Sequence, residues 1–249
     1  MDDTRNQNQI IRKDARGCFV ESLSDAFEIG RIHFVFATYD LSRPAGQRQT
    51  NYISIYITAD EFLELCRKTE CGELRYMLQN KKKSGDKTPL YQCLGGTSAE
   101  KLAKQGRSRK DGMSQSRTAQ LLCGSKSDFL FVADSGPGQA NDKGLIVPKF
   151  GNKPENHVAI SMTFESFSEL LLITKTHYEA WLSAWYLVKF QSGKKESITS
   201  HNSTYQTGDS GESMFQSIIK SSPLWRISGH TGGMRTLRTG CTKDRLLCH

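Results

Sequence analysis

The sequence lacks any run of apolar residues that approaches the roughly 18 needed for a membrane helix. It also lacks the pattern of a signal peptide, because residues 1–16 are polar and carry both signs of charge. These absences argue against a membrane partner. We therefore expect a cytoplasmic protein.

The chain has no recognisable cysteine framework. Its seven cysteines form an odd number and are irregularly spaced, with neither a paired C-x-x-C nor a disulfide pattern. His-x-His and H-E-x-x-H are absent as well. The sequence thus predicts free thiols in a reducing compartment and no metal site.

Signatures of catalysis are also missing. There is no G-x-x-x-x-G-K-[ST] phosphate loop, and Gly136-Pro-Gly138 lacks the third glycine of a dinucleotide fingerprint. The acids Asp128 and Asp134 flank a predicted strand but lack the clustering with which nucleases hold Mg²⁺. We expect a non-enzymatic protein without cofactors. An enzyme whose site is assembled from dispersed residues is the alternative.

What the chain does have is positive charge. Its 249 residues carry a net charge of +8 with a pI near 9.1, a balance that favours polyanionic partners such as DNA or RNA. A basic surface that serves only solubility is the alternative interpretation.

Two segments of the chain repeat one order of elements. In the first, strands at Arg31–Tyr39 and Tyr52–Ile57 flank a Pro- and Gly-containing hairpin loop, and Thr58-Ala-Asp-Glu61 forms a helix-capping box. In the second, strands at 127–132 and 158–162 precede a helix that begins at Thr163. The joints align, since residues 58–65 and 163–170 share Thr, Phe, Glu and Leu at four of eight positions. Chance similarity between strand-to-helix joints is the alternative.

These patterns predict an α+β fold. It would have two related antiparallel-sheet-plus-helix halves forming a pseudo-twofold domain, with a flexible C-terminal tail. The predicted divisions are an N-terminal arm (1–27), a first half (28–80), a basic connector (81–124), a second half (125–188) and a low-order basic tail (189–249).

Binding of single-stranded nucleic acid requires cations for phosphates and aromatic faces for bases. Tyr52 and Tyr56 alternate with Ile53, Ile55 and Ile57, so that tyrosines and isoleucines lie on opposite faces of one strand. We expect the tyrosines on an open face; a two-sided core that includes them is the alternative. The predicted nucleic-acid-binding residues are Arg43, Arg48, Tyr52, Tyr56, Lys81, Lys82, Lys83, Lys87, Arg107, Arg109, Lys110, Lys149, Phe150 and Lys153.

The order of strands, basic hairpin and closing helix over about residues 28–186 resembles the Whirly, PUR-repeat and transcriptional-coactivator type of single-strand binders. The resemblance rests on element order and on the joints at Thr58 and Thr163, since the Lys-Gly-Lys-Ala motif of Whirly proteins does not occur. It implies paired curved sheets backed by helices. The chain is also similar in general character to accessory proteins of bacterial conjugative elements.

We therefore predict binding of nucleic acid, with single-stranded DNA favoured and RNA as the alternative, by phosphate neutralisation and base stacking with little sequence specificity. The chain is expected to act alone or as a homo-oligomer. The alternative function is a protein-binding inhibitor or adaptor of a mobile genetic element, which would bind through an apolar patch rather than through Lys and Arg.

Overall fold

A computed structural model describes residues 7–151 and 153–201, with side chains described as far as residue 191. The chain begins with a four-stranded antiparallel meander in the order β1-β2-β3-β4. These strands are β1 (Gln9–Ala15), β2 (Cys18–Leu23), β3 (Arg31–Tyr39) and β4 (Gln49–Thr58). β3 and β4 are rich in β-branched and aromatic side chains, which favour strands; β4 alternates between buried and exposed positions, whereas β3 is buried on both faces from Ile32 to Ala37.

The second sheet is also antiparallel and has the order β5-β6-β7-β8, with β9 beside β7. Its strands are β5 (Tyr91–Thr97), β6 (Ser114–Cys123), β7 (Phe129–Ala140), β8 (Ile146–Pro148) and β9 (Asn156–Met162). The long strand β7 pairs with β9 along residues 129–135 and with β8 along residues 138–140.

The described residues contain four α-helices, which are α1 (Ala59–Glu70), α2 (Glu73–Ser84), α3 (Ala99–Lys104) and α4 (Phe164–His201). Thr58 ends β4 and caps α1, because its Oγ1 accepts a hydrogen bond from the Glu61 N–H at 3.4 Å. Thr163 follows β9 and accepts one from the Ser166 N–H at 3.2 Å. Both predicted strand-to-helix joints are thus present.

The core lies where the two sheets and α4 meet. Phe131 of β7 is 1% exposed, and its ring contacts Phe36 at 4.7 Å, Phe167 at 5.5 Å and Phe34 at 6.3 Å between centroids. Edge-to-face contacts of this kind add to the hydrophobic gain from burial. Contacts divide the chain into two units at residue 193, and both sheets belong to the first unit.

The predicted divisions need two corrections. The arm 1–27 contains β1 and β2, so from residue 9 it belongs to the first sheet. The connector 81–124 contains the end of α2, then β5, α3 and β6. Most of it is therefore part of the second sheet.

Two smaller expectations also differ from the structure. The strand predicted at 127–132 is longer in the structure, because β7 runs on through Gly136 and Gly138 to Ala140, and these two glycines leave room for side chains from neighbouring segments. The tail was expected from residue 189, but α4 continues to His201. The predicted tail beyond that point, residues 202–249, lies outside the described residues.

Candidate nucleic-acid interface

Strand β4 separates two environments by simple alternation. Ile53, Ile55 and Ile57 are at most 2% exposed and belong to the core. Tyr52 and Tyr56 are 51% and 44% exposed on the opposite face. They are four residues apart, which is about 13 Å along a strand and far enough to hold separate bases. This face also carries a small buried cluster of Phe19, Leu23, Val35 and Ala37 on β2 and β3, but Tyr52 and Tyr56 on the edge strand are not buried in it.

Tyr56 has a fixed partner on the neighbouring strand. Its ring stacks on His33, with centroids 4.3 Å apart and planes 17° from parallel. The buried His33 is held in turn by its Nδ1, which lies 2.8 Å from an Asp25 carboxylate oxygen. Burial raises the pKa of Tyr56 above its ordinary value, so the phenol is neutral at neutral pH. The result is a neutral aromatic surface with a defined orientation.

Arg117 of β6 lies beside this surface and was not among the predicted site residues. It is half-buried, and its Nη1 donates a hydrogen bond to Thr97 Oγ1 at 2.9 Å. Burial lowers the pKa of Arg117; the nearby Tyr56 opposes this shift and Arg107 adds to it. The second sheet thus brings Arg117 toward a tyrosine of the first, and Arg107 of the loop after α3 lies near Arg117.

The predicted bases of the β3–β4 hairpin lie at the start of the same strand. Arg43 and Arg48 are both exposed. Arg43 is 3.5 Å from Asp40, and the Arg48 Nε donates to the Arg43 carbonyl at 3.2 Å. These contacts are solvent-exposed, and exposed ion pairs contribute little free energy. Both side chains therefore remain available to a polyanion.

The predicted lysines at the end of α2 belong to a different region. Lys81 forms an ion pair with Asp86 at 2.6 Å and contacts Thr88, while Lys82 is 3.3 Å from Asp128. Lys83 and Lys87 are exposed. The last turn of a helix favours cations because of the helix dipole, which gives Lys81, Lys82 and Lys83 a structural explanation.

Arg109 does not behave as the free phosphate ligand that was predicted. Only 13% of its side chain is exposed, and all five of its N–H groups donate. The acceptors are Asp111, Gln115 and Glu155, at 2.5–3.1 Å. Bonds to Glu155 and Asp111 raise the pKa of Arg109. Arg109 therefore joins the loop after α3 to the segment before β9. Its neighbours Arg107 and Lys110 are exposed.

In the last predicted group, Phe150 is engaged in packing. A Cβ atom at Gly136 would come within 2.8 Å of its ring, so the ring covers the backbone of β7 at a position that requires glycine. Lys149 and Lys153 are exposed. This loop offers cations without an aromatic surface that is free for a base.

The fourteen predicted residues therefore do not form one site. β4 and its hairpin carry Arg43, Arg48, Tyr52 and Tyr56. Arg117 lies close enough to Tyr56 to affect the pKa of its phenol, and Arg107 lies close enough to Arg117 to affect the pKa of that guanidinium. Arg117 shares one face of β6 with Gln115, Ala119 and Leu121, and no local pattern in the sequence pointed to it.

Among the described residues, no group of three or more His, Cys, Asp or Glu is arranged to hold a metal ion. Within the same residues, no helix is both long and apolar enough to cross a membrane. The sequence matches no protein-family model, and no significant similarity connects it with a curated protein or a solved structure.

Proposed function

We propose that the protein binds single-stranded nucleic acid, with single-stranded DNA favoured, by base stacking and phosphate neutralisation and with little sequence specificity. The observation that carries the proposal is the pair of exposed tyrosines, Tyr52 and Tyr56, opposite the buried isoleucines of β4. A single strand exposes its base faces to such rings, whereas a duplex hides them.

The charges around the tyrosines support the same function. Arg43 and Arg48 lie at one end of β4, and Arg117 lies near Tyr56. On the open side of the first sheet two carboxylates have partners, whereas Glu21 of β2, two strands away from β4, forms no ion pair among the described residues. Asp14 is 2.6 Å from Arg12, and Asp25 is bound to His33. The β4 side of the sheet is thus the side suited to a polyanion.

We also propose that the two sheet-plus-helix halves are a pseudo-twofold repeat, as in the single-strand binders that the sequence resembles. The supporting features are the equivalent joints at Thr58 and Thr163, each between a strand and a capped helix. Compared with the first half, α3 and β8 would then be insertions in the second half.

The decisive experiment compares a labelled, unstructured oligonucleotide of about 20 nucleotides with the duplex of the same length by fluorescence anisotropy. We expect the single strand to bind about tenfold more tightly or better at moderate salt. Each stacked base contributes about 1–3 kcal/mol, and about 1.4 kcal/mol is a factor of ten. The matching RNA strand tests the preference for DNA.

Replacing both tyrosines, Tyr52→Ala with Tyr56→Ala, should remove most of this preference and leave the dependence on salt. Tyr76→Ala is the matched control, because Tyr76 is 65% exposed on α2, away from β4. Circular dichroism checks that each variant is folded. The proposal fails if the wild-type protein binds no nucleic acid at about 50 mM salt, or if Tyr76→Ala has the same effect as the double variant.

One observation favours a second candidate, which is protein binding through α4. Tyr186, Leu187 and Val188 are 59–65% exposed on consecutive positions of that helix. Exposed apolar groups of this kind are typical of interaction surfaces, including those of homo-oligomers. Light scattering of the wild-type protein and of Leu187→Lys tests this candidate. An unchanged monomeric mass in both would count against self-association.

A further inference from the structure

Arg117 is a cation without a counter-charge. No Asp or Glu among the described residues lies within 4 Å of its guanidinium, and its one side-chain hydrogen bond goes to the neutral Thr97 hydroxyl. An arginine carries five N–H donors, so most of its hydrogen-bonding capacity is unused by protein side chains.

This arrangement is unfavourable for the protein alone. Charged groups that lose water are normally paired, because the lost hydration must be replaced. Arg117 is half-buried, and Arg107, which lowers its pKa further, has the same sign of charge. Arg109 shows the opposite arrangement a few residues away, where Asp111 and Glu155 supply two carboxylates. The fold therefore pairs one arginine fully and leaves the other without an anion.

The residues paired with Arg117 across the second sheet carry no charge. Its cross-strand neighbours are the small residues Gly95 on β5 and Ser135 on β7. A guanidinium recognises phosphate with two parallel hydrogen bonds, and it keeps its charge even when partly buried. Tyr56, close enough to affect the pKa of Arg117, offers the aromatic surface for the adjoining base.

We infer that Arg117 binds one backbone phosphodiester of the nucleic acid, at a fixed place beside the base stacked on Tyr56, with Arg107 as the second cation. This inference rests on the proposed function and deepens it. The single-strand site then has a phosphate anchor on the second sheet and a stacking surface on the first, so a bound strand contacts both sheets.

The test measures the affinity for the single-stranded oligonucleotide as a function of salt, for the wild-type protein and for Arg117→Met, Arg117→Lys and Lys126→Met. Arg117→Met should weaken binding about tenfold or more, since hydrogen bonds to charged groups are strong. It should also flatten the log–log salt slope by about 0.7, the value for one phosphate of a single strand. Arg117→Lys should keep the slope but still lose affinity, because lysine lacks the planar fork.

Lys126→Met is the matched control. Lys126 is exposed in the β6–β7 turn, about 20 Å from Arg117 along the strand. It should leave affinity and slope close to those of the wild-type protein. Thermal unfolding without nucleic acid separates binding from a structural role. Arg117→Met should be at least as stable as the wild-type protein, whereas a role in folding alone would lower its melting temperature.

Each outcome of this binding test either supports or overturns the inference about Arg117. If the wild-type protein binds the single strand and Arg117→Met binds with the same affinity and slope, the inference is overturned while the proposed function stands. If Arg117→Met does not fold, Arg117→Lys decides, and an affinity equal to that of the wild-type protein overturns the inference. If the wild-type protein binds no nucleic acid, the proposed function and the inference fall together.

Discussion

Two adjacent residues of β4 should differ sharply in their contribution to stability. Ile53 is 1% exposed and packs in the core, whereas Tyr52 is 51% exposed on the opposite face. Ile53→Ala removes buried methyl groups and leaves a cavity, so we expect a loss of about 2–5 kcal/mol in the free energy of unfolding. Tyr52→Ala removes a side chain that is half in water, so its effect should stay within about 1 kcal/mol, the range of strand propensities.

Equilibrium unfolding in urea, followed by circular dichroism, measures both changes. The midpoint should fall strongly for Ile53→Ala and little for Tyr52→Ala, with similar slopes for all proteins. Ile53→Val, which should lose about 0.5–1.5 kcal/mol, keeps the comparison informative if the alanine variant is too unstable. Equal losses for Tyr52→Ala and Ile53→Ala would refute the reasoning, because the tyrosine would then belong to a core.

Two further predictions follow from burial and pairing. Burial raises the pKa of Cys66 to about 12, so its thiolate fraction at pH 8 is about one in ten thousand. Iodoacetamide should therefore label the exposed Cys71 faster than Cys66, and mass spectrometry that finds equal labelling rates for these two thiols would contradict this. Arg109→Met should leave the salt slope of oligonucleotide binding unchanged, because the wild-type side chain is fully engaged. A slope flattened by about 0.7 would show instead that Arg109 contacts a phosphate.

The parts of the fold that could be predicted are those in which one face of an element is apolar. The strand predicted at Arg31–Tyr39 has the bounds of β3, and the helix starts after Thr58 and Thr163 were readable from capping residues before apolar positions. In β4 and the two helix starts, burial on one side and solvent on the other produce the pattern that sequence analysis detects, whereas β3, buried on both faces from Ile32 to Ala37, was detected by its β-branched and aromatic residues.

Strands β5 and β6 of the second sheet were missed for a physical reason. On one face of β6, the buried positions are Ser114, Ser116 and Thr118. Small polar side chains carry no hydrophobic signal even when they are buried, so the alternation of β6 is invisible. In β5, Gly95 and Gly96 look like a turn. A basic segment with these features resembles a linker, although it forms two central pairings of the sheet.

The candidate site was predicted only in part, because the role of a cation depends on partners that are distant in sequence. Glu155 lies 46 positions from Arg109, and Asp128 lies 46 positions from Lys82. Neither ion pair could be read from local spacing. Tyr52 and Tyr56 were found because their orientation follows from the strand alone. The position of Arg117 beside Tyr56 depends on β6, a strand that was not predicted.

The net charge of +8 therefore overstates the number of cations that can serve a ligand. A lysine or arginine that already forms an ion pair with a carboxylate must break that pair before it can bind a phosphate. Its net contribution to the free energy of phosphate binding is therefore small. Lys81 and Arg109 are in this situation. Arg117 is not, and in the proposed site its guanidinium would gain in full from an incoming anion that replaces lost hydration. The site is thus better located by unpaired, half-buried charge beside exposed aromatic rings than by the density of basic residues in the sequence.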